Sequence, residues 1–65
     1  MKKKDLFEDK RANWIASFID DGMVIAWLAC EAGLPEIYFL CKKRGLLGVR
    51  FSEFQDVFMD IAEDY

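Results

Sequence analysis

Apolar residues recur along this chain at helical rather than strand spacing, in separate runs divided by turn-forming residues. The last run is the most regular: Phe54, Val57, Phe58, Ile61, Ala62 and Tyr65 fall at i, i+3, i+4, i+7, i+8 and i+11, one stripe of an amphipathic helix. Ser52 stands before it with Gln55 three residues on, which predicts a capped start at the serine. Near the other end, Phe7, Trp14, Ile15 and Phe18 mark the apolar stripe of a helix from about Asp5 to Ile19. Asp20, Asp21 and Gly22 then break the pattern with a capping acid and a turn residue.

Between these lie two further helices. Met23 to Ala32 has no charged residue before Glu31, so a helix there is apolar on every face. Such a helix is either buried all round or leaves one side for a partner or a second copy. Gly33 is expected to end it at positive φ, and Pro35 to open a third helix, where a missing N–H costs nothing. That helix runs to about Arg44, with Lys42, Lys43 and Arg44 set against the negative end of its dipole and Gly45 closing it. GLLGV follows as a connector whose Leu46, Leu47 and Val49 are expected to dip into the core. The prediction is an all-α fold: one domain over residues 1–65, a compact bundle of four short helices.

Length and composition limit what such a bundle can be. A chain of 65 residues supports one core. The longest apolar run, MVIAWLAC, is eight residues, far short of the roughly 20 that span a bilayer. MKKKDLFEDKRANW has a lysine run but no apolar segment behind it, so no signal peptide and a cytoplasmic setting are expected. No histidine is present and Cys30 and Cys41 form no CxxC pair, so no metal or other cofactor is expected. Their spacing leaves a disulfide open, while a reducing cytosol favours two thiols acting as small core residues. With no histidine, no glycine-rich phosphate loop and no cysteine beside a basic partner, neither an enzyme nor a small-molecule substrate is expected. The acids of the last helix, or Asp20 with Asp21, are expected on open surface, without a pocket to raise a carboxyl pKa.

The net charge of −3 is unevenly spread. Residues 39–51 carry Lys42, Lys43, Arg44 and Arg50 without an acid; residues 52–65 carry Glu53, Asp56, Asp60, Glu63 and Asp64 without a base. A basic segment therefore adjoins an acidic helix.

The stretch LACEAGLPEIYFLCKKRG brings a resemblance into view. Leu28, Ala29 and Ala32 match the apolar and small positions of a first helix, Gly33 the turn, Leu34 the apolar residue after it and Phe39 the buried position of a second helix. With IDDGM before it and FSEFQDVF after it, the region over residues 20–58 resembles the helix-turn-helix of small phage and bacterial DNA-binding proteins. These include phage repressors and the N-terminal module of small terminase subunits. The resemblance implies a helix-turn-helix corner and a DNA-binding regulator or packaging module, which the surplus apolar surface would make a dimer. On this spacing, however, the groove-facing positions fall on Glu36, Ile37, Leu40 and Cys41, whereas base edges are read chiefly by Arg, Lys, Asn, Gln, Ser and Thr. The residues thus favour protein binding, with Trp27, Ile37, Tyr38, Leu40 and Cys41 as the partner-binding set. Lys42, Lys43, Arg44 and Arg50 would meet a partner's acids or DNA phosphates. Likeness to phage proteins further implies an inhibitor or regulator of a host or defence factor.

Overall fold

A computed structural model describes residues 9–65, and the described residues form four α-helices and no strand. These are α1 (Lys10–Ala16), α2 (Asp21–Leu28), α3 (Leu34–Lys43) and α4 (Phe51–Ala62). The fold is all-α, and among the described residues no helix is long and apolar enough to cross a membrane. Phe7 and Lys2, Lys3 and Lys4 lie outside the described residues.

Local chemistry sets each boundary. α1 starts later than the stripe predicts, because Asp9 is extended and its carboxylate caps the helix by accepting from Arg11 N–H at 2.9 Å. It also stops early: Phe18 and Ile19 N–H groups donate to Ile15 and Ala16 carbonyls at 3.0 Å, the tighter three-residue turns of a closing helix. Asp20 caps α2 as expected, accepting from Met23 N–H at 2.9 Å.

α2 ends at Leu28, four residues before the predicted end, and its stop signal is not Gly33. Glu31 N–H donates to the Ala26 carbonyl and Cys30 N–H to the Trp27 carbonyl, both at 2.9 Å, with Cys30 itself at φ 63°. This is a Schellman ending with cysteine in the left-handed position. For a residue with a Cβ that conformation costs roughly 1–2 kcal/mol, so sequence reasoning looks for the glycine instead. Gly33 has φ −85° and caps α3. The same motif ends α3 with the expected residue: Gly45 sits at φ 116° and donates to Lys42, while Leu46 donates to Cys41. Leu46 and Cys41 are both fully buried, the apolar contact that accompanies this ending.

α4 begins at Phe51 rather than after a Ser52 cap. Glu53 reaches back to accept from Arg50 N–H at 3.1 Å, so the helix opens two residues early with Arg50 as its cap position. Phe54, Val57, Phe58 and Ile61 are buried as the stripe predicts, while Tyr65 is exposed and donates its hydroxyl to Asp21. In the connector, Leu46 and Val49 point inward but Leu47 is 69% exposed. Its neighbour Leu46 is anchored by the α3 ending, and Leu47 is left to solvent.

The core joins Ile15, Ile19, Val24, Ile37, Leu46, Phe54 and Phe58, with α1 and α3 both laid on α4. α2 is not buried all round: Met23 and Val24 face the core, while Ile25 and Leu28 are 57% and 49% exposed. No buried polar or charged residue occurs among the described residues, so apolar contact holds the interior together.

One ion pair ties α1 to the first turn of α4. Arg11 Nε donates to Glu53 Oε2 at 2.8 Å, and Arg11 Nη2 to Oε1 at 3.1 Å and to the Gly48 carbonyl at 3.2 Å. The Arg11 hydrogen bonds, followed by that from Arg50 N–H, hold the Glu53 carboxyl down at about 2 against an ordinary value of 4.5. A depressed carboxyl stabilises the fold fully above its unfolded pKa and ceases to do so as pH falls through the folded one. Stability is therefore expected to drop between pH 4.5 and about 2. In Arg11→Met that drop should be smaller, as read from thermal midpoints across the window, while the two chains differ little in slope near neutrality.

Candidate functional site

The phase of α3 is set by Leu34. Leu34, Ile37 and Cys41, at i, i+3 and i+7, are buried, so the helix turns that face onto the core. The opposite face carries Glu36, Phe39, Leu40 and Lys43, all exposed, with Phe39 at 59% and Leu40 at 45%. This corrects the expected partner-binding set at two positions and the helix-turn-helix match at a third. Ile37 and Cys41, expected outside, are core residues at 1% and 0% exposure, and Phe39, expected inside, is exposed. The cue was present in Leu34, which in an α3 that starts one residue earlier than predicted lies in register with Ile37 and Cys41.

The remaining members of the set divide by what they touch. Tyr38 is half-buried: its hydroxyl donates to the Val49 carbonyl and its ring meets Phe51 at 5.3 Å and Phe54 at 5.4 Å. Trp27 packs edge-on against Phe58 at 5.3 Å. Both therefore fasten helices together, and Leu40 alone of the five is openly presented. Cys41 donates its thiol to the Phe18 carbonyl at 3.3 Å, and burial pushes its pKa up to about 11. Of the two thiols expected as small core residues, Cys41 is one but Cys30, in the left-handed turn after α2, is exposed, and no disulfide joins the two.

The cations are equally varied. Arg44 is tied to Asp20 at 3.0 Å and to the Phe18 carbonyl at 3.4 Å. Lys42 lies over the Tyr38 ring, 5.2 Å from its centroid, and Lys43 over the Phe39 ring at 5.4 Å. Among the described residues, Lys42, Lys43 and Arg50 meet no carboxylate in an ion pair. The one acid on the exposed face, Glu36, is drawn to the helix start, where it accepts from Gly33 N–H at 3.3 Å. Apolar surface and positive charge thus coincide at the C-terminal half of α3, with Leu47 exposed just beyond.

Two concavities were missed by sequence reasoning. One, about 470 Å³, lies at the α2–α3 corner between Trp27, Leu28 and residues 30–33. It opens because the turn carries small side chains at Ala32 and Gly33. The other is a groove of about 220 Å³ between α1 and α4, floored by Ala12, Ile15 and Val57 and rimmed by Asp9, Arg11, Glu53, Asp56 and Asp60. These acids border a groove rather than open surface, but the guanidinium beside Glu53 favours the ionised carboxylate, the opposite of what a general acid requires. No three metal-ligating side chains gather among the described residues. Comparison with family models, curated proteins and solved structures gives no match to this chain.

Proposed function

We propose that this is a non-enzymatic protein-binding module that engages its partner through the exposed face of α3. The observation that carries the reading is the pairing of Phe39 and Leu40 on the outside of a domain whose core closes without them. Large apolar side chains set side by side on a small domain mark an interaction surface. Aromatic side chains such as Phe39 are enriched at the buried centres of interfaces. As a phage-type inhibitor or regulator of a host or defence factor, the module would work by occupying a partner's surface.

A dimeric DNA-binding regulator or packaging module finds less support. The exposed face offers the major groove one cation, Lys43, beside Phe39, Leu40 and Glu36, and a base-reading helix needs polar donors and acceptors there. Wild-type chain fixed on a matrix and exposed to lysate of its source cells is expected to retain a protein in stoichiometric amount, and Leu40→Asp to lose it. Retention by Leu40→Asp would overturn the reading. So would a complex between wild-type chain and duplex DNA that strengthens as salt is lowered, in place of a protein partner.

A further inference from the structure

From charge complementarity, and resting on the reading of α3 as a protein-binding face, we infer that its occupant is an acidic peptide segment carrying a large apolar anchor. The apolar centre, Phe39 and Leu40, lies in the same patch as the cation: Lys43 Nζ sits over the Phe39 ring, 5.4 Å from its centroid. A side chain that covers Phe39 therefore places its neighbouring carboxylate against the Lys43 ammonium. Lys42, the preceding residue, lies over the Tyr38 ring and adds positive charge beside this face. Neither lysine is neutralised by an ion pair among the described residues.

Three of the described acids are engaged elsewhere. Glu36 shares the outer face of α3, but its carboxylate is drawn toward the helix start, where it accepts from Gly33 N–H. Asp56 and Asp60 rim the groove toward α1, whereas α4 meets Tyr38 of α3 through Phe51 and Phe54. A carboxylate arriving at Lys43 thus meets cations first, and an arriving lysine meets them too and is repelled. Apolar contact supplies affinity at such a surface, and charge supplies the choice of partner.

A random peptide library displayed on a carrier and selected against the immobilised full chain tests this directly. The enriched peptides are expected to be net acidic, with Asp or Glu flanking an aromatic or branched aliphatic residue. Their binding should weaken about tenfold or more in Phe39→Ala, and by a similar factor in Lys43→Glu. It should also weaken as salt is raised. Enrichment of neutral or basic peptides whose binding is lost in Phe39→Ala would overturn the acidic partner while leaving the α3 face as a binding surface. No enrichment, or binders indifferent to Phe39→Ala, would overturn both. A salt-sensitive dimer of the chain itself, abolished in Phe39→Ala, would assign the face to a second copy and likewise overturn the inference.

Discussion

Phe54→Ala is expected to abolish the folded state at ordinary temperature. Phe54 is fully buried, and its ring meets Tyr38 of α3 at 5.4 Å and Phe58 of its own helix at 5.8 Å. Truncating a buried phenylalanine costs about 3–5 kcal/mol, since the surroundings of the lost ring relax only in part. A chain of 65 residues has roughly 3–10 kcal/mol of total stability. The substitution thus removes much or all of the margin. The helical circular-dichroism signal should vanish at 25 °C, or the thermal midpoint should fall by about 15 °C or more. Met59→Ala, on the same helix but 41% exposed, should change the midpoint by only a few degrees.

Ile37→Asp is the second large effect, and it reports on the rotational setting of α3. Ile37 is 1% exposed, in a core with no buried polar or charged residue among those described. An aspartate there must either carry an uncompensated charge into that core or take up a proton, and both states are costly. Thermal or urea unfolding should find the variant largely unfolded at neutral pH, with partial recovery on acidification as the carboxyl is neutralised. A stable, cooperatively folded Ile37→Asp would show that α3 presents a different face.

Periodicity alone identified the bundle, because α4 has an unbroken apolar stripe and α1, α2 and α3 are separated by strong turn residues. What it placed wrongly was the phase of α3. The predicted start at Pro35 leaves Leu34 in the turn and its burial unused; the observed start at Leu34 puts residues 34, 37 and 41 inward and sends Phe39 out. Helix ends were displaced for a related reason. Asp9 and Glu53 act as capping groups, and Cys30 takes a left-handed backbone that propensity assigns to Gly33. The apolar residues of 37–41 therefore drew the candidate site to α3, but three of the five, Ile37, Tyr38 and Cys41, support the core. The part of the expected set that stays at the surface, Leu40 with Lys43, rests on charge and exposure at the end of α3 rather than on the helix-turn-helix spacing.

The claim that α3 uses its outer face for binding while its inner face supports the fold is tested most directly by Leu40→Asp. Leu40 is 45% exposed and three residues from Ile37 on the same helix. The helical spectrum and thermal midpoint of this variant, recorded on the sample used for partner capture, should match the wild-type chain to within about 1 kcal/mol while capture is lost. Loss of the helical spectrum would place Leu40 in the core, and an unchanged spectrum with unchanged capture would place the binding surface elsewhere.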